Sequence, residues 1–459
     1  MRLRGRALNK INVRKASGPD RINGKLLKEC KSSLFYIIHR MFEISFEFCT
    51  FPAIWKIGEI IPVAKKDLPK VDNDLRPVTL TSILSKCLER VGLWLLMPHV
   101  KDKLDPLQFA YVNGRSTDDA ICNLMHLITK HLDEKPSNIV RATYIDYSSA
   151  FNTIQPHLLI QKLSIMNVPT YLRMWILDYM LDRPQFVRTK LEVSNCVSLN
   201  TGAPQGCVLS PVLFIIYTND LSWNTKDVVI QKYADDTIIL GLIKQSNDSK
   251  YKECVAFVDK WCQENFLNLN VTKTKEMVWD FRKHRSPFVP VTINNTSVEV
   301  VDSYKYLGLT IDNTLSFAPH IKTQVKKANK RVYCIRSMRS LRVNQEIITM
   351  FYNATIPSVL MYAACSFYGS ITVQLRSELE RPHRMCQRIV PSSTIVDNDQ
   401  VYKNRMKSLS EKIMKDTTHP LCDEFQILPS GRRLRVPYTR TERYRKTFVP
   451  LSIKYMNGK

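Results

Sequence analysis

At 459 residues, the chain is long enough for about three domains of ~150 residues each. A composition of 44 % hydrophobic and 24 % charged residues excludes an intrinsically disordered protein. The formal net charge of +25, from 67 Lys and Arg against 42 Asp and Glu, indicates a polyanionic partner, with nucleic acid as the leading candidate and an anionic membrane surface as the alternative.

Apolar runs and cysteines exclude further classes of protein. The longest apolar runs, such as PVLFIIY (211–217), are far shorter than the ~20 residues of a membrane-spanning helix. The N-terminal stretch MRLRGRALNK has no apolar segment behind its basic residues, so it is not a secretory signal. The 12 cysteines occur singly, without zinc-ligand spacing or a disulfide pattern. We therefore expect an intracellular protein that does not associate with a membrane.

The N-terminal part predicts a helix over about 32–49 and a strand in WKIGEIIPVAKK (55–66) that ends in a basic turn. LRPVTLTSILSKCLERVGLWLL (75–96) predicts a loop that leads into an amphipathic helix. The β-branched run NIVRATYID (138–146) predicts a strand. Because a strand alternates its faces, Ala142, Tyr144 and Asp146 lie on one side of it, with Asp146 at its end.

The central part predicts a buried helix and a hairpin. TGAPQG (201–206) is typical of a loop, and the following helix is expected to have Ser210 as its N-cap and Pro211 as its first residue. KYADDTIIL (232–240) predicts two short strands with Asp235 and Asp236 at the bend. A pair of Asp residues at a turn is ordinary when considered alone.

A third carboxylate changes that interpretation. If the end of the 138–146 strand adjoins the hairpin in one antiparallel sheet, Asp146, Asp235 and Asp236 form a cluster of like charges, which needs cations. Mg²⁺ binds through a few carboxylates together with substrate phosphates. Two such ions ~3.5–4 Å apart would activate a hydroxyl and stabilise a leaving phosphate, so the cluster predicts nucleotidyl transfer, with Mn²⁺ as a substitute metal.

The C-terminal third is helical and basic. YKYLGLTID (304–312) predicts a strand pair with a tight Gly turn, and residues 317–341 a long helix. Its apolar stripe comprises Ile321, Val325, Ala328, Val332 and Ile335. Lys322, Lys326 and Lys330 repel one another at i, i+4 spacing, which fits either a solvated face or a polyanion passing along the helix. GRRLRVPYTRTERYRK (431–446) is basic as well.

Eight motifs follow one another along the chain: SGPDRINGKLLK, LRPVTLTSILSKCLER, QFAYVNGRSTDDAI, YIDYSSAFNTI, TGAPQGCVLSPVLFIIYTND, YADDT, LNLNVTKTKEMVW and YKYLGLTID. In this order they resemble the reverse transcriptases of non-LTR (LINE-type, Jockey-like) retrotransposons, over roughly residues 10–340. LPSGRRLRVPYTRTERYRKTFVP resembles the C-terminal end of such elements. An ordered series is far more specific than any single motif.

The resemblance implies an α+β fold, the right-hand polymerase, with an antiparallel palm sheet, mixed fingers and a helical thumb. The corresponding division is 1–140 for an N-terminal extension and fingers, and 141–312 for the palm, of which 156–220 is partly fingers and palm helices. Residues 313–390 would be the thumb and 391–459 a basic C-terminal segment. The resemblance leaves the role of that last segment open between nuclear import and RNA binding.

The resemblance also assigns roles to particular residues. Asp146, Asp235 and Asp236 would be catalytic ligands of two Mg²⁺ ions. Lys273, or alternatively Lys275, would protonate the pyrophosphate leaving group. Nucleotide-binding residues would be Lys65 or Lys66, Arg76, Phe151, Gln205 and Gly206. The turn of Tyr306, Leu307 and Gly308 would hold the primer end, and Lys322, Lys326 and Lys330 the duplex phosphates.

Two of these assignments have ordinary structural alternatives. Phe151 would exclude a ribose 2′-hydroxyl by its ring, but a phenylalanine at this place is also typical of a core. Lys65 and Lys66 bind a triphosphate or belong to a solvated turn. The motif AFN has Asn152 where the family usually has Asp, and Asn lacks that charge. Because Asn152 is not one of the three carboxylates, we expect reduced or unchanged activity.

The function that the resemblance implies is RNA-directed DNA polymerase, with target priming. The partners would be an RNA template, a DNA primer or target DNA, and dNTPs, in the nucleus or in a cytoplasmic ribonucleoprotein. Elements of this kind generally carry an endonuclease before the polymerase, so we expect the chain to be a fragment that lacks it. The alternatives are a catalytically silent RNA-binding derivative and an RNA-templated RNA polymerase.

Overall fold

The computed structural model describes residues 2–71, 74–223, 225–285, 288–389 and 396–458. The chain divides into two compact units. The first unit comprises Met1–Tyr111, Tyr147–Ser222 and Val258–Leu269, and the second comprises Val112–Asp146, Trp223–Phe257 and Asn270–Lys459. The expected four-part division stays a prediction, and its boundary between 390 and 391 lies outside the described residues.

Helices account for most of the regular structure. In chain order they are α1 Arg2–Asn9, α2 Gly24–Glu29, α3 Lys31–Glu47, α4 Ala53–Lys56, α5 Ile83–Val100, α6 Thr117–Glu134, α7 Pro156–Ile165, α8 Thr170–Met180, α9 Ser210–Tyr217, α10 Ser249–Glu264, α11 Ala318–Ser340, α12 Gln345–Leu360, α13 Ala364–Phe367, α14 Val373–Ile389, α15 Asn398–Lys415, α16 Glu442–Arg445 and α17 Phe448–Met456. The helices predicted over about 32–49 and 317–341 are confirmed as α3 and α11.

The strands are short. In chain order they are β1 Gly58–Ala64, β2 Leu75–Leu80, β3 Ile139–Ile145, β4 Tyr147–Ser148, β5 Arg183–Val187, β6 Val197–Leu199, β7 Val228–Tyr233, β8 Asp236–Ile243, β9 Asn268–Leu269, β10 Lys275–Trp279, β11 Thr292–Ile293, β12 Thr296–Ser297, β13 Glu299–Val300, β14 Ser303–Tyr306 and β15 Leu309–Asp312. The predicted strands in residues 55–66 and 138–146 are confirmed as β1 and β3.

The first unit contains a sheet of strand order β2-β1-β5-β6. The loop predicted for residues 75–80 was wrong, because these residues form β2, antiparallel to β1. The strand contains Pro77, which cannot donate to a sheet ladder. β2 is an edge strand, which is the position where a sheet tolerates proline.

The second unit contains a sheet of strand order β13-β10-β3-β8-β7, antiparallel except for the β10–β13 pair. All seven residues of β3 are buried, as its central position requires. Ala142 and Tyr144 lie in one hydrophobic core with Ile238, Leu240 and residues of the C-terminal helices. With its antiparallel sheet and separate helical regions, the chain has the α+β class that we predicted.

The other face of β3 carries a buried charge. Arg141 is fully buried, and its guanidinium lies 2.6 Å from Glu276 and also bonds Asp248. It lies over the ring of Tyr251, 5.1 Å from the ring centre. A buried guanidinium without partners would be strongly destabilising. These contacts hold β3 and β10 together, and thereby position the strand end at which Asp146 follows.

The long helix α11 packs against α12 and α14 in the core of the second unit. Of its predicted apolar stripe, Ile321, Ala328, Val332 and Ile335 are buried and Val325 is half-buried, as expected. Helices α15 and α17 contribute Met406, Ile413, Phe448 and Ile453 to the same core. The basic C-terminal segment is therefore a folded part of this unit.

Within the described residues, one segment, Gln345–Phe367, is long and apolar enough to cross a membrane, with a mean hydropathy of 1.3. Our sequence analysis missed it because scattered polar residues interrupt its apolar runs. Ile348, Tyr352 and Ile356 of this segment pack into the core of the second unit. Left-handed Ala363 (φ 55°) interrupts the helix. Core helices often have this length and composition, so the segment is weak evidence for a membrane.

Candidate active site

The predicted hairpin is confirmed and presents two carboxylates at its turn. Tyr233 pairs with Asp236, so Ala234 and Asp235 form a two-residue turn between β7 and β8. Ala234 has a φ of 57°, a left-handed conformation that such turns require and that a non-glycine residue adopts at a cost of about 1–2 kcal/mol. Buried Ile230 and Ile238 behind the turn hold it in place.

The register of β3 brings the third carboxylate to the same place. Ile145 pairs with Thr237, so the next residue, Asp146, lies opposite Asp236 where the two strands end. The backbone of Asp146 is held on its other side, because its N–H donates to Thr274 Oγ1 (3.2 Å) and its carbonyl accepts from the Asn270 N–H (2.8 Å). The expected convergence of the three acids therefore occurs within the second unit.

The electrostatics of Asp236 reflect this crowding. Partial burial, followed by the negative charges of Asp235 and Asp146, raises the pKa of Asp236 to about 6. Its side chain still reaches solvent, as does that of Asp235. In the described part of the chain, no group of three or more His, Cys, Asp or Glu side chains is already arranged as a metal ligand set. Three carboxylates that repel one another nevertheless provide the oxygen ligands and the negative charge that suit a hard divalent cation.

Replacing Asp236 tests this electrostatic conflict directly. Its raised pKa means that the charged carboxylate destabilises the folded state above about pH 6, and that this cost disappears as the pH falls from 6 towards 4. We expect Asp236→Asn to raise the melting temperature in metal-free buffer at pH 7.5, and this gain to shrink at pH 4.5. Circular dichroism melts in EDTA measure both effects.

Asp227, just before β7, provides a control of opposite sign. Hydrogen bonds from Lys250 (2.6 Å) and Lys244 (3.3 Å) lower the pKa of Asp227, so Asp227→Asn is expected to lower the melting temperature at pH 7.5. Millimolar Mg²⁺ should reduce the difference between the native chain and Asp236→Asn, since a bound cation removes the repulsion. Equal melting temperatures of the native chain and Asp236→Asn at both pH values would contradict the crowding.

Tyr304 belongs to this site and was missed by sequence reasoning. Its ring stacks on Tyr144, with ring centres 4.0 Å apart. Partial burial, followed by the negative charges of Asp236 and Asp146, raises the pKa of Tyr304. The sequence signal for Tyr304 was its place at the start of the motif YKYLG, of which we had considered only the Gly turn. Tyr304 lies on β14 and packs on Tyr144, two residues before Asp146.

The two candidate lysines differ in their contacts. Lys275 at the start of β10 places its ammonium 2.6 Å from Glu299 and donates to the Thr272 carbonyl (2.6 Å). Lys273 is exposed, two residues before β10. Lys275 is thus engaged by Glu299 and Thr272, whereas Lys273 faces solvent, and the assignment of the proton donor to either lysine stays a prediction.

The predicted Gly turn joins β14 and β15. Leu307 and Gly308 both have positive φ (45° and 90°), as a tight hairpin turn requires. A Cβ on Gly308 would lie 2.9 Å from the ring of Tyr362, so glycine is needed there for space as well. Tyr306 is buried, and its hydroxyl oxygen accepts a hydrogen bond from Gln231 Nε2 (3.1 Å). Any primer contact at this turn would therefore come from Leu307 and Gly308 rather than from the Tyr306 side chain.

The lysine row of α11 is exposed, as predicted. Lys322, Lys326 and Lys330 all face solvent. Tyr333, one turn beyond Lys330, has 69 % of its surface exposed. Sequence reasoning did not include Tyr333, although it follows Lys330 by three residues and therefore continues the row on the same helix face. This face of the second unit therefore presents a row of solvent-exposed cations that ends in an exposed aromatic ring.

In the first unit, Phe151 and the 203–206 loop are joined through backbone hydrogen bonds. The Phe151 carbonyl accepts from the Ala203 N–H (2.8 Å), and its half-buried ring lies 4.9 Å from that of Phe214, centre to centre. The Gln205 carbonyl accepts from Thr79 of β2 (2.8 Å). Gly206 has a φ of 111°, and a Cβ there would lie 2.8 Å from the Thr79 carbonyl oxygen.

A cavity of about 370 Å³ opens beside this loop. Gln205 lines it, as do Asn152, Thr79 and Arg183, whereas Phe151 is not one of its lining residues. Within the first unit, the structure thus brings Gln205 and the AFN motif to one concave surface. Asn152 is exposed, so an amide rather than a carboxylate faces solvent there.

The three predicted triphosphate cations lie on the β1–β2 hairpin of the same unit. Lys66 forms an ion pair with Asp74 (2.8 Å), and hydrogen bonding from Lys66 is the largest cause that lowers the pKa of Asp74 to about 2. The Lys65 N–H donates to the Asp74 carbonyl (2.8 Å), so Lys65 is fixed by its backbone. Arg76 is exposed on β2, opposite Val63. To bind a triphosphate, Lys66 would have to break its ion pair with Asp74.

Sequence reasoning also missed the residue that holds the chain between the 203–206 loop and α9. The carboxylate of Glu89, fully buried on α5, accepts from the N–H groups of Val208 (2.6 Å) and Leu209 (3.1 Å). The predicted N-cap, Ser210, was wrong: α9 begins at Ser210, with Leu209 as its N-cap. A distant carboxylate satisfies the N–H groups that a local serine cap would otherwise bind.

Removing this carboxylate should disturb the loop. We expect Glu89→Ala to destabilise the chain by about 2–4 kcal/mol, because two buried N–H groups lose their acceptor. Urea denaturation followed by circular dichroism measures the change. Glu47→Ala, which removes an exposed glutamate from α3, is the matched control and should change stability by less than about 0.5 kcal/mol. Equal effects of the two variants would show that Glu89 has no special supporting role.

A family model described as reverse transcriptase (RNA-dependent DNA polymerase) matches residues 64–311. This range includes Asp146, Asp235, Asp236 and Lys273, but not the lysine row of α11. The resemblance drawn from the motifs is thereby confirmed.

The chain is also similar to polymerases of mobile elements. It is 25 % identical over 346 residues to the probable RNA-directed DNA polymerase from transposon BS of Drosophila melanogaster, covering 72 % of this chain and 37 % of the relative. It is 24 % identical over 399 residues to the RNA-directed DNA polymerase from mobile element jockey of the same species, covering 84 % and 42 %. The chain therefore spans less than half the length of these relatives.

Two further similarities concern a polyprotein and a solved structure. The Pol polyprotein from type-1 retrotransposable element R1 of Bradysia coprophila is 23 % identical over 435 residues, covering 92 % of this chain and 42 % of the relative. The structure of telomerase from Candida tropicalis in complex with a telomeric RNA fragment has a TM-score of 0.41 and 12 % identity, covering 89 % of this chain and 69 % of the other.

Proposed function

Because the chain belongs to the reverse transcriptase family, we propose that it is the polymerase part of a non-LTR retrotransposon and that it acts as an RNA-directed DNA polymerase. It would extend a primer 3′-hydroxyl with deoxynucleoside triphosphates on an RNA template. The observation that carries the proposal is the convergence of Asp146, Asp235 and Asp236 at adjacent strand ends, with Asp236 held at a raised pKa.

The three carboxylates would hold two Mg²⁺ ions, or Mn²⁺ as a substitute. When bound, these ions would activate the primer hydroxyl and neutralise charge on the leaving phosphate. The chain supplies the rigid oxygen ligands: the hairpin turn and the clamped backbone of Asp146 fix them before substrate arrives. Lys273 would donate a proton to the pyrophosphate oxygen.

The nucleotide-binding residues of the first unit would act on the incoming dNTP. Arg76, with Lys65 or Lys66, would bind the triphosphate, Arg76 through its fork and lysine as a point charge. Gln205 would contact the nucleotide beside Gly206, where the backbone approaches closely. The Phe151 ring would exclude a 2′-hydroxyl. These roles rest on the motif matches, and for Lys65, Lys66 and Arg76 also on their exposure to solvent.

The lysine row of α11 would hold the template–primer duplex through its phosphates. Such contacts contribute affinity without reading sequence and weaken steeply as salt increases. With the net charge of +25, they support nucleic acid rather than a membrane as the partner. We further propose that target DNA supplies the primer and that the protein acts in the nucleus, or assembles first with its RNA in the cytoplasm.

A catalytically silent RNA-binding derivative is the alternative function. It would keep the basic surface but would gain nothing from three clustered carboxylates, whose mutual repulsion costs stability without a metal. An RNA-templated RNA polymerase would use the carboxylates but would not need the Phe151 ring under the sugar.

Primer extension with purified protein tests all three functions. The assay supplies poly(rA)/oligo(dT) with Mg²⁺ and either dTTP or UTP, and measures duplex binding in parallel by fluorescence anisotropy. Extension with dTTP and little with UTP is the expected result. Efficient extension with UTP would indicate an RNA polymerase. Salt-sensitive duplex binding without any Mg²⁺-dependent extension would indicate the silent derivative and overturn the enzymatic proposal.

A further inference from the structure

A basic loop in the C-terminal segment has no part in the site described above. We call residues 426–440 the arginine loop. Arg432, Arg433 and Arg435 are exposed, and Tyr438 has 87 % of its surface exposed. Thus three guanidinium groups and one large aromatic ring face solvent within seven residues of chain.

The arginine loop is a folded element, anchored at its centre. Leu434 is buried, and Asn457 of the last helical region bonds both its N–H (2.8 Å) and its carbonyl (2.9 Å). The Arg435 N–H donates to the Gln426 carbonyl (2.7 Å), which closes the loop across its base. Because Leu434 points into the core, its neighbours Arg433 and Arg435 are held outward.

A second anchor fixes the end of the arginine loop. The carboxylate of Asp133 on α6 accepts from the N–H groups of Arg440 (2.8 Å) and Thr441 (2.6 Å) and from the Thr441 hydroxyl (2.5 Å). This carboxylate is almost buried, and both anchors lie within the second unit. Tyr438 therefore extends from a short span held on either side, at Leu434 and at Arg440.

The arginine loop exposes several like charges and one aromatic ring to solvent. In the described part of the chain, no carboxylate forms an ion pair with Arg432, Arg433 or Arg435. Like charges placed this close repel one another. An aromatic ring exposed to water also lacks the stabilisation that burial of its apolar surface would provide. Both costs would be recovered on binding a partner that offers several anionic groups and a flat apolar face.

We propose that the arginine loop binds single-stranded nucleic acid. The guanidinium groups would contact successive phosphates, and the Tyr438 ring would stack on an unpaired base. A duplex offers the same phosphates but keeps its bases stacked within, so it would leave Tyr438 without a partner. The inference goes beyond the proposed catalytic function, since it needs neither metal nor dNTP.

Binding of a labelled 20-nucleotide RNA, measured by fluorescence anisotropy in EDTA, tests the proposal. The triple variant Arg432→Ala/Arg433→Ala/Arg435→Ala should lose at least about tenfold in affinity and flatten the salt dependence by about 2 in the log–log slope. Lys403→Ala/Lys407→Ala/Lys415→Ala removes the same charge from exposed positions of α15 and should bind nearly as the native chain does. Equal losses in the two triple variants would overturn the proposal.

Tyr438 separates stacking from charge. Tyr438→Ala should weaken binding by about tenfold with an unchanged salt slope, whereas Tyr438→Phe should bind as the native chain does. A DNA of the same sequence, tested alongside, identifies which single strand binds more tightly. If the variants lost as much affinity for a duplex RNA as for the single strand, the proposal of a single-strand site would be wrong. It would also be wrong if the variants lost only their binding to anionic phosphatidylserine vesicles. Because these assays contain no Mg²⁺ or dNTP, failure of primer extension does not affect them.

Discussion

Asp235→Asn is expected to reduce primer extension by about 1000-fold or more, while duplex binding in EDTA stays within about twofold of native. Asp235 occupies the exposed position of the two-residue turn, and the amide of Asn keeps its shape but loses the charge that attracts a cation. Loss of several kcal/mol of charge stabilisation in the transition state corresponds to three or more orders of magnitude in rate. Single-turnover extension of poly(rA)/oligo(dT) with dTTP measures it.

Asp227→Asn is the matched control for this experiment. Asp227 precedes the same hairpin but is held by Lys244 and Lys250, so its replacement removes one negative charge away from the turn. We expect its extension rate to remain within about threefold of the native rate. If Asp235→Asn kept the activity of this control, the metal role proposed for the hairpin would be wrong, whatever the native chain does.

Phe151→Val is expected to admit ribonucleotides. With the ring shortened, the space under the sugar can hold a 2′-hydroxyl, and we expect the preference for dTTP over UTP to fall on the order of 100-fold. The backbone need not move, because the hydrogen bond from Ala203 is made to the Phe151 carbonyl. Competition between dTTP and UTP in the same extension reaction measures the ratio directly.

Phe151→Tyr should keep the native preference, since its ring fills the same space. The alternative is that Phe151 serves only as core, packed on Phe214. In that case Phe151→Val would lower the melting temperature and the overall rate while the dTTP:UTP ratio stayed native. The ratio, rather than the rate, therefore decides between the two interpretations.

Local patterns were sufficient to place each carboxylate at a strand end or turn, whereas the pairing of β3 with β8 that brings them together was an assumption that the structure confirmed. Strand alternation places Asp146 at the end of β3, and the β-branched residues around Asp235 and Asp236 predict the hairpin. Both are short-range properties: side chains alternate every residue, and a hairpin joins neighbouring segments. The long helix α11, its apolar stripe and its exposed lysines follow in the same way from a period of 3.6 residues.

Contacts between distant parts of the chain decided the rest. Residues 75–80 form a strand because β1 pairs with them, although their composition suggested a loop. Glu89 binds the N–H groups of Val208 and Leu209 from more than a hundred residues away, and Tyr304 stacks on Tyr144 through a hairpin that sequence reasoning treated only as a turn. Such pairings depend on which surfaces meet in three dimensions, so local periodicity carries no signal of them.

The C-terminal segment illustrates the same limit most clearly. Its charge is visible in the sequence, and charge alone fits a flexible tail for import as well as a binding surface. The burial of Leu434 and the carboxylate of Asp133 hold the arginine loop in a defined conformation. The amino-acid sequence determined that this segment is cationic, whereas only tertiary packing decided which of its side chains point into the core and which face solvent.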